Sequence, residues 1–251
     1  MAEINWKRTE YESWDEAFRG QTPAIRQQSV RVAAYTQALY VQACAGKFGA
    51  DTRMGAERMN GKYADLAYKC GMYHQLGKAL VPPEYQLWQD DFTDEEQAVY
   101  KKYTTDGRLL VATLQERSVR ARDRRKGELT EIPTKNIPFL MIPESCEQHM
   151  ERWDGSGYPE GLRGEAIPIC AQVVGLADAF DALTNQRSYK PAYAYDVAVN
   201  MILNGECGAF SPKLLECFKH VTAEYERLAN AYADGLTPES MGFSTALPLP
   251  T

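Results

Sequence analysis

Histidine is scarce in this chain: His74, His149 and His220 are the only three in 251 residues. A metal centre built on imidazole has to draw on these, so their positions outweigh every other feature of the composition. No apolar run approaches the roughly 18 residues that a membrane-spanning helix needs, and no membrane partner is expected. The N-terminal stretch MAEINWKRTEYESWDEAF lacks the apolar core of a signal peptide, so a cytoplasmic location is the expectation. The six cysteines (Cys44, Cys70, Cys146, Cys170, Cys207, Cys217) form no CxxC pair and read as reduced thiols, several of them small core residues. A formal net charge of −6 argues against a DNA or RNA polymer as partner, because neutralising phosphate dominates such binding. Alternating strand patterns are nearly absent, and no internal repeat stands out.

Helical spacing is what the chain does have. From Ala24 to Ala45, Ile25, Val32, Leu39 and Ala43 recur at the steps of an amphipathic helix. A second helix is expected from Met54 into LAYKCGMYHQLGK, stopped by the paired prolines of VPPEY. Thr93 followed by Glu96 is a capping box that opens a third, long helix. RSVRARDRRKGELTEIPTKNIP breaks the pattern with charge, glycine and proline and reads as an exposed loop or insertion, its arginines a solvated face. Periodicity resumes in CAQVVGLADAFDALTNQ and AYDVAVNMIL, and Ser211-Pro212 sets the start of a last helix ending near YADG. These signals predict an all-α helical bundle. The expected organisation is an N-terminal extension over 1–21, a helical domain over 22–235 with a charged insertion at about 117–138, and a loosely held tail over 236–251.

The stretch HMERWDGSGYPEGLRGEAIP, His149 to Pro168, fits neither period and spends four glycines and two prolines on an irregular loop. Extended through ICAQVVGLADAFDALTNQRSYKPA, it resembles the HD-GYP family of bacterial cyclic-di-GMP phosphodiesterases. The family's pattern is His-His-Glu, Trp-Asp-Gly-x-Gly-Tyr-Pro, Gly-Leu-x-Gly-x-x-Ile-Pro, then Ala-Asp-x-Phe-Asp-Ala-Leu-Thr and Arg-x-Tyr-Lys. Gly157, Tyr158, Pro159, Gly161, Leu162, Gly164, Ile167 and Pro168 stand in that order, and upstream MYHQLGK is similar to the family's Leu-His-Asp-Ile-Gly-Lys. The resemblance covers roughly residues 22 to 222. It implies an HD-domain helical bundle with an irregular Gly-Tyr-Pro loop, and metal-assisted phosphodiester hydrolysis at a multinuclear iron- or manganese-type centre.

Position by position, the resemblance implies a depleted centre. His74, His149 and Asp178 keep ligand identities, whereas Gln28, Gln75, Tyr103 and Met150 stand where the family has ligands. A neutral amide lacks the charge that bridges two dications, and a thioether suits hard or borderline ions poorly. In the family His74 and Asp178 would serve one ion and His149 another. No cofactor is expected, or at most a single iron or manganese ion on His74, His149 and Asp178. Asp181 lies one helical turn beyond Asp178. Lys78 matches a family lysine that reaches phosphate, and the only residue expected in a catalytic role if the chain is active. Arg187 and Lys190 match phosphate contacts, although cations at a helix end also fit the dipole alone. The loop around Gly157, Tyr158 and Pro159 is read in two ways, as geometry that packs Trp153 and Tyr158 onto the bundle or as a recognition surface.

The favoured reading is therefore a degenerate HD-GYP domain that binds cyclic-di-GMP or a related nucleotide, or docks a diguanylate cyclase (GGDEF) protein, with lost or weak hydrolysis. The alternatives are a metal-dependent phosphodiesterase with a reduced site, and a scaffold without ligand. A homodimer fits the family's habit of pairing through helices.

Overall fold

The computed structural model describes residues 10–46, 59–87, 92–127, 131–132, 136–185 and 192–233, with positions 235, 237 and 240. Its elements are α1 (Trp14–Arg19), α2 (Pro23–Ala45), α3 (Ala64–Tyr73), α4 (Asp94–Lys101), α5 (Tyr103–Lys126), α6 (Ile137–Gln148), α7 (Ile169–Thr184), α8 (Tyr195–Leu203), α9 (Pro212–Lys219) and α10 (Thr222–Ala233), joined in places by short 3-10 turns. Among the described residues the only β pairing is an isolated bridge between Asp154 and Arg163. The fold is all-α, as the periodicity predicts. None of the described helices is long and apolar enough to cross a membrane.

α2 is the axis of the bundle and packs on α3, α7, α9 and α10. Its buried stripe runs Ile25, Val32, Tyr35, Leu39 and Ala43, steps of three, four and seven that keep one face inward. Tyr35 meets Phe180 of α7 at 5.1 Å and Tyr225 of α10 at 4.7 Å between ring centroids. The Tyr225 hydroxyl donates to the Tyr35 carbonyl at 2.9 Å, tying the end of the chain to its first long helix. A smaller cluster of Val81, Phe92, Tyr100 and Tyr103 lies apart from this core, with Met150 against it.

Several expected boundaries move. The second helix begins at Ala64, after a 3-10 turn over Gly61–Tyr63, and residues 51–58 lie outside the described set. The Thr93–Glu96 capping box is present in both directions, but the helix it opens lasts only eight residues before α5 starts. The exposed-loop reading of 117–126 is corrected: these residues complete α5. Arginine is a good helix former, Val119 and Asp123 are buried, and Arg117 donates to the Tyr11 carbonyl at 2.6 Å. Gly127, in the left-handed region at φ 69°, ends the helix. The single last helix becomes α9 and α10, divided at His220–Val221; Pro212 holds the first turn as expected, but Ser211 makes no side-chain cap bond.

Two close approaches fix the site. A β-carbon on Gly77 would lie 1.9 Å from the Tyr103 carbonyl and 2.6 Å from the Gly107 nitrogen, so the 3-10 turn Leu76–Leu80 seats directly on the start of α5. In the irregular loop, a β-carbon on Gly157 would lie 2.4 Å from the Met150 carbonyl.

Candidate metal and ligand centre

His74 and His149 each stand at the C-terminal end of a helix, α3 and α6. Each places Nδ1 on a carbonyl of its own last turn: His74 on Gly71 at 2.6 Å, His149 on Ser145 at 2.9 Å and Cys146 at 3.1 Å. A carbonyl can only accept, so Nδ1 carries a proton in both rings and Nε2 is the atom each ring turns to the cluster. The rings meet edge-on, 4.9 Å between centroids and 87° apart. Asp178 of α7 completes the group, its Oδ1 3.5 Å from His74 Nε2. One donor atom from each of His74, His149 and Asp178 lies within 4.8 Å of the others. The structure thus brings together in one cluster three residues that the resemblance divides between two ions.

Two neutral residues occupy the lone pairs of this cluster. The Tyr103 hydroxyl, at the first position of α5, donates to His149 Nε2 at 2.9 Å. Gln28 of α2 donates its amide to Asp178 Oδ1 at 2.7 Å. Of the two imidazoles, only His74 retains a buried Nε2 with no hydrogen-bond partner. Burial, reinforced by the neighbouring His74, pushes His149 down to about 3, so it is neutral at physiological pH. Burial likewise pushes the Tyr103 hydroxyl well above its ordinary range, and a side-chain hydrogen bond links it to Tyr158 of the loop.

The other expected positions separate. Gln75 is committed elsewhere: its amide donates to Ser29 at 3.1 Å and to the Ile25 carbonyl at 3.4 Å, both on α2. Met150 is half-buried against the Tyr100–Tyr103 cluster. Lys78 is buried, with Nζ 5.0 Å from the Tyr103 ring centroid and 5.4 Å from that of Tyr100. Asp181 is spent on a two-point ion pair with Arg31 at 2.6 and 3.0 Å. Arg187 and Lys190 lie outside the described residues.

The loop is organised by a residue that no site expectation included. The buried Glu151 carboxylate accepts from the backbone nitrogens of Glu160 at 2.7 Å and Leu162 at 2.9 Å. Trp153 N donates to the Ala209 carbonyl at 2.9 Å, which pins the loop to the segment before α9. Together these contacts hold Tyr158 against Tyr103, with Lys101 5.4 Å from the Tyr158 ring. The signal for Glu151 was its position immediately after the two ligand positions of the His-His-Glu pattern.

The donor set of two imidazoles and one carboxylate suits one iron- or manganese-type ion. It does not suit two, because Asp178 supplies the single carboxylate among the three clustered donors and Gln28 already holds one of its oxygens.

Residues 22–213 match the HD domain family. A cyclic di-GMP phosphodiesterase of Vibrio cholerae serotype O1 is 34% identical over 173 residues, which is 68% of this chain and 32% of that protein. The cyclic di-GMP phosphodiesterase response regulator RpfG of Xanthomonas campestris pv. campestris is 31% identical over 160 residues, 64% of this chain and 37% of that protein. A 3'3'-cGAMP-specific phosphodiesterase 2 of Vibrio cholerae is 29% identical over 153 residues, 61% of this chain and 26% of that protein. Among solved structures, a cyclic GMP-AMP specific phosphodiesterase of V. cholerae matches 89% of this chain and 53% of its own at 15% identity and a TM-score of 0.42. The chain spans about a third of the length of the curated cyclic di-GMP phosphodiesterases it matches. With its helical bundle, its clustered His74 and Asp178 and its Gly-Tyr-Pro loop, this chain belongs to the HD domain family.

Proposed function

We propose that this chain is a cyclic-dinucleotide-binding domain of the HD-GYP type whose hydrolytic centre has been replaced by a hydrogen-bonded one. One observation carries the reading: the Tyr103 hydroxyl caps His149 Nε2, the atom that would otherwise face a metal. Gln28 does the same for Asp178 with a neutral amide. A single divalent ion, when bound, would be held by His74, His149 and Asp178 and would supply a polarised water and charge for phosphate. Without an ion, the chain's own groups do the binding. Lys78, Arg187 and Lys190 supply positive charge to phosphate, Arg187 with the two-point geometry that lysine lacks. Tyr158 and the loop held by Glu151 close the mouth over the ligand and shed water from it.

The test is calorimetric titration of the full chain with cyclic-di-GMP in chelator, beside metal analysis and a hydrolysis assay with added manganese or iron. Micromolar binding without metal, together with turnover reduced by several orders of magnitude from an intact phosphodiesterase, is the expected result. Stoichiometric metal after purification with turnover at ordinary enzymatic speed would overturn the reading in favour of the phosphodiesterase alternative. A silent titration would overturn it in favour of a loop that docks a diguanylate cyclase protein, or of a dimerising scaffold. Exchanging Tyr103 and Gln28 for histidine should increase metal uptake, since both already face the cluster.

A further inference from the structure

Helix α4 ends on Lys101, a lysine outside every expectation drawn from the sequence. Its Nζ lies 5.4 Å from the Tyr158 ring centroid, and Lys78 Nζ lies 5.0 Å from that of Tyr103. The two tyrosines are joined by a side-chain hydrogen bond, and Tyr103 goes on to His149. One ammonium therefore stands on each ring of a linked pair beside the cluster. Among the described residues neither ammonium forms an ion pair or a hydrogen bond. Asp178 turns Oδ1 to Gln28 and His74 rather than to Lys78. Lys78 is only 6% exposed, yet its nitrogen is not one of the buried polar atoms closed off without a partner, so it keeps contact with solvent. Burying an ammonium without a counter-ion is costly, and two ring faces offset only part of that cost. Lys101 and Tyr158 are both half-buried, so the second cation is reachable from outside.

We propose that Lys101 is a second phosphate-binding cation of this centre, taking one anionic oxygen of a phosphoryl-bearing ligand while Lys78 takes another. The inference rests on the reading of the centre as a nucleotide-binding site and adds to it a residue from α4. An anion is what two unpaired ammoniums select, because it supplies the missing counter-charge. Both nitrogens are already laid on ring faces, so less side-chain freedom is lost when the anion arrives. Lysine meets phosphate as a point charge, so no metal is needed to hold the group. A cation in the last turn of α4 also suits the helix dipole, but that role needs no tyrosine ring beneath it. Tyr158 belongs to the loop that Glu151 fixes, so a phosphate drawn to Lys101 is bound where α4 and the loop meet.

The experiment titrates the full chain in chelator with cyclic-di-GMP and with inorganic pyrophosphate, by calorimetry at low and high salt, in wild type, Lys101→Gln, Lys101→Arg and Lys78→Met. Lys101→Gln should weaken cyclic-di-GMP about tenfold, the worth of one charge-assisted contact, and make binding less sensitive to salt. Its melting temperature should be nearly unchanged, because a half-exposed cation on a ring contributes little. Lys101→Arg should bind close to wild type. Lys78→Met should bind more weakly yet melt higher, since an unpaired buried charge gives way to an apolar chain of similar length. Wild-type affinity in Lys101→Gln overturns the proposal, and so does a loss of affinity matched by a fall in melting temperature, the mark of a packing role. Pyrophosphate binding that Lys101→Gln loses, beside a silent cyclic-di-GMP titration, would overturn the dinucleotide reading and leave the two-cation site standing. Silence with both ligands overturns the site as well.

Discussion

Replacing Tyr103 with phenylalanine tests the hydrogen-bonded centre with the smallest change the chain allows. The ring is kept, and with it the packing on Tyr100 at 5.3 Å and the Lys78 ammonium 5.0 Å from its centroid. Only the hydroxyl is lost. A neutral hydrogen bond contributes about 1 kcal/mol net, and the partner left unsatisfied in a buried site adds about 1–3 kcal/mol. Here the abandoned partner is His149 Nε2, on a ring only 1% exposed, and the Tyr158 hydroxyl also loses its neighbour. A cost near 2–3 kcal/mol corresponds to a fall of about 5–10 °C in melting temperature for a chain of this size. The same change frees a lone pair beside His74 Nε2 and Asp178, so added manganese should raise the variant's melting temperature more than the wild type's. Thermal melts with and without manganese, in chelexed buffer, read both effects. A variant that melts within about 1 °C of wild type and gains no larger manganese shift refutes the idea that Tyr103 holds His149 in place of a metal.

Three further outcomes follow from the same geometry. Because His149 is held near 3 in the folded chain against 6.5 when free, the unfolded state binds the extra proton throughout that window. The stability gained by keeping the ring neutral is complete above pH 6.5 and declines toward pH 3, by up to about 1.4 kcal/mol per unit; the difference in unfolding free energy between wild type and His149→Asn, followed from pH 7 to 4, should show that slope, and a flat difference would contradict it. Glu151→Gln weakens two charge-assisted bonds to the loop backbone and should cost about 2 kcal/mol, with faster hydrogen exchange at the Glu160 and Leu162 amides; unchanged exchange there would mean the loop is held by other contacts. Gly77→Ala drives a methyl group into the Tyr103 carbonyl and should cost at least about 2–3 kcal/mol by overpacking, while disturbing the His149 ring resonances that NMR reports.

The all-α bundle was legible from spacing alone, since the stripes of α2 and α7 are what a 3.6-residue period demands. Boundaries were less so. A run of six cations between Arg117 and Lys126 looks like loop chemistry, and only the burial of Val119 and Asp123 against the fold makes it helix. The split at His220 carries no proline or glycine to announce it. In the centre, the identities of His74, His149 and Asp178 were readable, and so was the replacement of their neighbours. What those neighbours do was not. Gln75 and Gln28 are the same residue type on adjacent elements, yet one turns to Ser29 and the other to Asp178. Sequence position fixes where a side chain starts; the rotamer and its partner come from packing between distant helices.

Both imidazoles of the cluster owe their aim to where a helix stops. One residue added within the last turn of α3 or α6 would rotate the ring about 100° around the helix axis, carrying Nε2 away from Asp178. Point changes at the centre alter its chemistry, but a change of length in either helix removes it altogether. A change of length between Ala64 and His74 or between Ile137 and His149 is therefore a graver change to this centre than a substitution at Tyr103 or Gln28.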